Sequence, residues 1–144
     1  MFKKILVPVD VDYPETAAAV YRKAQVLAEQ SGADIRLVSV MPGFGMPIVA
    51  SYIPEDVRNE AVQRFKESVD QFIKDHCDPS ASYQIRTGKN WEQIIKEAED
   101  WGADLIIVYH NHQREINEVF SGSCSQRVAD RAECSVLRLR NVEA

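Results

Sequence analysis

The tetrapeptide Gly122-Ser123-Cys124-Ser125 carries the chain's clearest chemical potential. It follows the apolar run Asp104-Leu105-Ile106-Ile107-Val108-Tyr109 and a polar stretch, and it opens a helical pattern. A turn of small residues entering a helix presents unpaired backbone N–H groups and the positive end of the helix dipole, so a phosphate is expected to bind here. Plainer roles compete for the same residues. Ser123 and Ser125 are ordinary helix N-cap types, and Cys124 is small enough to serve as packing even though a positive helix end lowers a thiol pKa. Asp10, directly after the first apolar run, is a second candidate that equally suits a helix cap or a turn shared with Asp12. His110 and His112 lie two apart without a third ligand at metal-binding spacing, so they read as solvated loop residues and no metal site is expected. His76-Cys77-Asp78 reads as a frayed helix end, and Trp91 and Trp101 as packing residues.

The elements that position these residues follow from hydrophobic periodicity. Ile5-Leu6-Val7-Pro8-Val9 is a continuous apolar run, the pattern of a strand covered on both faces. Pro14 opens a helix whose Ala17, Val20, Ala24, Leu27 and Ala28 share one face, and Gly32 closes it. Ala33 to Val40 forms a second strand, followed by a loop from Met41 to about Ile53 rich in glycine and proline, either a lid or a connection. A long helix carries Val62, Phe65, Val69, Phe72 and Ile73 and fades at Asp78-Pro79. Ser82 to Thr87 alternates at period two, as a half-exposed edge strand does. Gly88 turns into a helix with Trp91, Ile94, Ile95 and Ala98 in its stripe, ended by Gly102. The strand from Asp104, the Gly122 turn, a helix through Ala132 and a last strand Ser135–Arg140 complete the alternation.

Five strands alternating with four helices predict a doubly wound α/β domain, a five-stranded parallel sheet with helices on both faces, because right-handed crossovers set successive helices that way. Ligands in such sheets bind beyond the strands' carboxyl ends where strand order reverses. Asp10, Val40 and the segment from Tyr109 to Ser125 all follow strand carboxyl ends, so they are expected to converge on one crevice.

Composition narrows the function classes. The 144 residues fit one domain spanning 1–144, and 45% hydrophobic with 27% charged residues matches a folded globular chain rather than disorder. A net charge of −5 argues against nucleic acid or an anionic membrane as partner, since both need a concentrated basic surface. Met1-Phe2-Lys3-Lys4 leads straight into a strand instead of a signal-peptide core, and no apolar run approaches the roughly 20 residues of a membrane span. Cys77, Cys124 and Cys134 are odd in number and lack C-x-x-C spacing, which reads as reduced thiols in a cytoplasmic protein.

Taken together, Ile5-Leu6-Val7-Pro8-Val9-Asp10, Gly122-Ser123 and Ala132-Glu133-Cys134-Ser135-Val136-Leu137 resemble the universal stress protein family across the whole chain, most closely its small single-domain F- or G-type bacterial members. The resemblance implies an adenine nucleotide alpha hydrolase-like sheet with strand order 3-2-1-4-5, and a cytoplasmic protein that binds ATP or AMP and dimerises. It maps the nucleotide's ribose region to Asp10, adenine to backbone at Val40 with Val9 lining the slot, and phosphate to Gly122, Ser123, Cys124 and Ser125. The family's phosphate motif spaces two further glycines ahead of Gly122; here Tyr109 and His112 stand in their places. Side chains of His112, Gln113 and Arg114 are the candidates to replace the lost backbone contacts, Arg114 by neutralising phosphate charge. Mg²⁺ could enter with the nucleotide through phosphate oxygens.

No catalytic residues are assigned: the chain lacks a Walker-type Gly-x-x-x-x-Gly-Lys-Ser/Thr loop, the signatures of carboxylate-activating relatives of this architecture, and a hydrolytic triad. The leading expectation is a nucleotide-dependent stress regulator with a protein partner still to be identified. A nucleotide-free dimeric interaction module is the alternative, and a slow ATPase or self-phosphorylating protein using Ser123 or Ser125 is the third. The dimer is expected through Ser135–Arg140, where Arg138 either reaches an acidic partner or weakens the interface.

Overall fold

Apolar runs without alternation become inner strands, and the runs closed by glycine become helices. The computed structural model describes residues 1–41, 52–110 and 122–140. They form β1 (Lys4–Pro8), α1 (Pro14–Ser31), β2 (Asp34–Met41), α2 (Glu55–His76), β3 (Ser82–Thr87), α3 (Asn90–Trp101), β4 (Leu105–His110), α4 (Gly122–Arg131) and β5 (Ser135–Arg140). Gly32 and Gly102 end α1 and α3 in the left-handed conformation, at φ 69° and 80°, and donate their N–H groups to Ala28 and Ala98. Only glycine adopts that geometry without steric cost, which is why the stops are legible. The loop read from Met41 to about Ile53 lies largely outside the described residues.

The five strands pair in parallel in the order β3-β2-β1-β4-β5. Side-chain parity then divides the core into two layers. Ile5, Val7, Val9, Leu37, Leu105, Ile107 and Tyr109 face α1 and Phe72 of α2. Leu6, Val38, Val40, Ile106 and Val108 face Ile94 and Ala98 of α3 and Cys124 and Val128 of α4. Helices therefore cover both faces, as right-handed crossovers require. The amino half of α2 is less covered, for Val62 and Phe65 are only half-buried while Val69 and Phe72 are buried.

β1 is held hardest. Ile5, Leu6 and Val7 are 0% exposed, and each such side chain contributes roughly 1.5–3 kcal/mol of burial free energy. Burial keeps β1 in the core, while polar bonds at its amino end set its position against β4. The Asp104 carboxylate accepts the N–H groups of Lys3 at 2.9 Å and Lys4 at 3.0 Å, and the Asp104 N–H donates to the Lys4 carbonyl at 3.0 Å. Pairing between the two strands then covers only Ile5 with Leu105 and Leu6 with Ile106, against five positions between β1 and β2. The strands are fastened at their amino ends and stop pairing toward their carboxyl ends.

A buried charge network secures the β3 edge, a feature the sequence reading missed. Glu97 of α3, 2% exposed, accepts from Arg36 of β2 at 3.0 Å and from Arg86 of β3 at 2.8 Å. Arg36 also lies over the Trp101 ring, 4.9 Å from its centroid, and Lys4 lies over the same ring at 5.5 Å. Trp101 therefore packs, as expected, with cations on its face. β3 is an edge strand, but alternating exposure is not its pattern: Ile85 and Arg86, on opposite faces, are both half-buried and the other four residues exposed, with Arg86 on the α3 side. The stretch after α2 is ordered rather than frayed. The Asp78 N–H donates to the Tyr21 hydroxyl at 3.2 Å, and Asp78 Oδ1 accepts the Ser80 N–H at 2.8 Å and hydroxyl at 2.7 Å.

Burial opposes ionisation of Asp104, but the bonds from Lys3 and Lys4 outweigh it and hold the carboxyl below its ordinary 3.8. A carboxylate with a lowered folded pKa stabilises above its unfolded pKa and loses that contribution as pH falls through the folded value. Asp104→Ala should therefore cost about 1–2 kcal/mol at neutral pH, discounted for partial exposure, with the difference from the unaltered protein shrinking below about pH 4. Urea unfolding of both proteins across that range measures it, and a pH-independent difference would contradict the assignment.

Candidate functional site

β1 and β4 are the neighbours between which strand order reverses, because β2 and β3 extend the sheet on one side and β5 on the other. A crevice beyond their carboxyl ends is the architectural position for a ligand. Asp10 follows β1, Val40 is the penultimate residue of β2, and α4 starts from the segment that follows β4. The residues read as candidates are thus brought to one edge of the sheet. His112, Gln113 and Arg114 lie outside the described residues.

Each candidate has a defined place. The Val9 N–H continues the ladder by donating to the Val38 carbonyl at 2.9 Å, and the Val9 carbonyl accepts from the Ser39 hydroxyl at 3.4 Å. Val9 packs toward α1 and Val40 toward α3, on opposite faces of the sheet. A ligand meeting both therefore meets at least one of them through its backbone. Asp10 takes the turn role: its Oδ1 accepts the Asp12 N–H at 3.1 Å and its carbonyl accepts the Tyr13 N–H at 3.1 Å. It does not cap α1, whose N-cap is Tyr13 without a side-chain cap bond. Asp10 is half-buried, and the turn fixes its carboxylate at the sheet's carboxyl edge.

At the start of α4, Ser123 is exposed whereas Ser125 is 0% exposed. Ser125 Oγ lies 3.4 Å from His110 Nδ1, so the hydroxyl is turned toward the end of β4. Cys124 packs in the α3–α4 layer at 2% exposure. Burial pushes its thiol up to about 12, against a smaller lowering from the Arg127 charge. Burial outweighs the Arg127 charge, and any contact from this buried position to an anion is made by backbone.

His110 corrects the sequence reading. It is the last residue of β4 and 9% exposed, where a solvated loop residue was expected. Its Nδ1 meets Arg138 Nη2 at 2.5 Å, and Arg138 Nη1 donates to Gln126 Oε1 at 3.0 Å. Arg138 is therefore engaged within its own chain, a third outcome beside the two expected for it at a dimer interface. Its position on the same side as Val136, opposite Leu137 and Leu139, follows from parity as expected. Among the described residues no group of three or more His, Cys, Asp or Glu side chains could hold a metal ion. Trp91 is half-buried beneath two cations, Arg131 at 4.7 Å and Arg127 at 5.6 Å from its ring centroid.

Two grooves formed by described residues lie elsewhere. One of about 510 Å³ is lined by Tyr21, Gln25, Glu29, Asp34 and Asp78, and the other, also about 510 Å³, by Gly102, Asp104, Glu133 and Ser135. Both sit at the amino ends of strands, opposite the crevice.

The model of the universal stress protein family matches residues 1–140. The chain belongs to that family. Universal stress protein A homolog 2 of Coxiella burnetii is 31% identical over 146 residues, covering 96% of this chain and 95% of that protein. Universal stress protein G of Shigella flexneri is 29% identical over 147 residues, covering 97% and 100%. Among solved structures, universal stress protein UspA from Lactobacillus plantarum is similar with a TM-score of 0.68 at 24% identity, covering 96% of this chain and 97% of that one. A universal stress protein in complex with cAMP has a TM-score of 0.60 at 18% identity, covering 96% and 97%. The universal stress protein from Archaeoglobus fulgidus in complex with dAMP has a TM-score of 0.61 at 19% identity, covering 94% and 96%. These likenesses establish for this universal stress protein the fold read from its strands. No described helix is long and apolar enough to cross a membrane.

The raised thiols have a consequence for stability. Cys124 and Cys77 are both moved by burial from an ordinary 9.0 to about 12. Between those values the unfolded thiols ionise and the folded ones do not, so the unfolded state binds fewer protons and stability falls as pH rises. Cys124→Ala should flatten that decline when urea unfolding is compared at about pH 8 and about pH 10. An unchanged slope would contradict burial of the thiol.

Proposed function

We propose that this universal stress protein binds an adenine nucleotide, ATP or AMP, in the crevice between the carboxyl ends of β1 and β4, and acts as a nucleotide-dependent regulator of a stress response. The observation that carries the reading is the convergence of Asp10 and the start of α4 at the point where strand order reverses. Relatives of the same fold in complex with cAMP and dAMP support adenine as the base. In this reading Asp10 bonds near the ribose, backbone at Val40 meets adenine beside Val9, and the N–H groups from Gly122 to Ser125 receive phosphate. His112, Gln113 and Arg114 supply the side-chain contacts to phosphate, with Mg²⁺ entering on its oxygens. The protein acts in the cytoplasm as one domain, as a homodimer through Ser135–Arg140, and its bound nucleotide alters the surface offered to a protein partner.

One observation favours a second reading, a nucleotide-free interaction module. Tyr109 stands where the family's phosphate motif begins with glycine, and it is a strand residue 7% exposed in the α1-side core. That position offers a packed side chain in place of an open backbone approach.

Calorimetric titration with ATP and AMP separates the two. Saturable binding at micromolar levels is expected, weakened about tenfold or more by Asp10→Ala without loss of the folded state, as removal of one charge-assisted bond implies. No heat with either nucleotide would establish the second reading, and unchanged affinity in the variant would remove Asp10 from the site.

A further inference from the structure

We propose that Arg138 of β5 is a positioning residue for the anion-binding end of α4, locking its first turn to the end of β4. This rests on the nucleotide reading above. Three elements meet at its guanidinium: Nη2 reaches His110 Nδ1 at 2.5 Å at the end of β4, and Nη1 reaches Gln126 Oε1 at 3.0 Å in α4. Ser125 Oγ lies 3.4 Å from the same His110 nitrogen, so the first turn of α4 meets the ring at the atom that Arg138 holds. The two ends of the intervening segment, eleven residues by number from 111 to 121, are thereby tied through one side chain of a third element, β5.

The chemistry of the fork fixes the state of its neighbours. A guanidinium has donors only, so His110 Nδ1 is the acceptor and the ring carries its proton on Nε2. The Gln126 amide is oriented as well, because its Nε2 donates to Asp130 Oδ1 at 2.9 Å while its Oε1 accepts from Arg138. A single arrangement satisfies all these bonds. That is what a helix end needs to present its N–H groups in one geometry rather than several.

Arg138 is poorly designed as a stabiliser. Its Nε–H is buried without a hydrogen-bond acceptor among the described residues, a desolvation cost that a methionine of similar length would not carry. Such a group at a place where an apolar residue would pack points to a role in the site. Lysine would not substitute for it, since one ammonium cannot hold two fixed directions as the planar fork does.

The test uses the full chain as unaltered protein, Arg138→Met and Arg138→Lys, titrated calorimetrically with adenosine, AMP and ATP alongside thermal melting. Arg138→Met should melt no lower than the unaltered protein, bind AMP and ATP about tenfold more weakly, and bind adenosine unchanged, because only the phosphate end depends on α4. Arg138→Lys should lose the same affinity despite keeping its charge. Nitrogen NMR of the imidazole should find His110 in the Nε2–H form in the unaltered protein and a mixture in Arg138→Met. Full AMP affinity in either variant overturns the proposal, as do equal losses for adenosine and AMP accompanied by a lower melting temperature. Should the unaltered protein bind none of the three ligands, the nucleotide reading fails, and amide exchange at Ser123–Gln126 judges the lock. Faster exchange in Arg138→Met upholds it, and unchanged exchange overturns it.

Discussion

β1 must be covered on both faces and paired on both edges, and the rest of the molecule is arranged around that demand. Its apolar side chains are withdrawn from water on the α1 side through Ile5, Val7 and Val9 and on the α3–α4 side through Leu6. A strand with no free face takes β2 on one edge and β4 on the other, so the chain returns across it and strand order reverses there. The Asp104 carboxylate draws the two strands together at their amino ends, and their pairing ends after two positions. The place where a ligand can enter is therefore a consequence of how β1 is buried and fastened, with no specialised loop required to create it.

Charge is handled differently at the two ends of the structure. Around β3, Glu97 is buried between Arg36 and Arg86, so removing both arginines would leave a buried carboxylate without an ion-pair partner, and the network fixes α3 on the sheet. At the carboxyl end of β4 the half-buried cation is Arg138, which meets a ring nitrogen of His110 and an amide oxygen of Gln126, and no carboxylate among the described residues. Its positive charge is left uncompensated among those bonds, close to the first turn of α4. A positive helix end and a half-buried guanidinium on adjacent elements favour an anion in the same region. The thiol of Cys124 nonetheless stays protonated, because full burial outweighs the attraction of nearby positive charge.

The fold was legible wherever local chemistry decides. Gly32 and Gly102 mark helix ends because their left-handed geometry needs no distant partner, and the bounds Ser135–Arg140 are recovered to the residue. The features that escaped depend on partners far along the chain. His110 looks like the start of a polar loop, yet it ends β4 because Arg138, twenty-eight positions on, accepts its company in the core. Glu97 sits in a helix stripe that reads as apolar, and its partners lie 61 and 11 residues away. His76 to Asp78 resembles a fraying terminus until the Tyr21 hydroxyl, 57 residues earlier, receives the Asp78 N–H. For the candidate site, the residues that follow strand carboxyl ends were legible as a group, since topology alone places them. The opposite facing of Val9 and Val40 was equally available from parity and follows once the register is known.

The central claim is that the ligand sits at the carboxyl edge between β1 and β4, and it is tested most directly by amide chemical-shift mapping. Uniformly ¹⁵N-labelled protein titrated with AMP should show saturable shifts clustered at Asp10, Val40 and Ser123 to Ser125, with the amides around Tyr21, Asp34 and Asp78 at the opposite edge unmoved. Shifts concentrated at that opposite edge, or none at saturating AMP, would contradict the account.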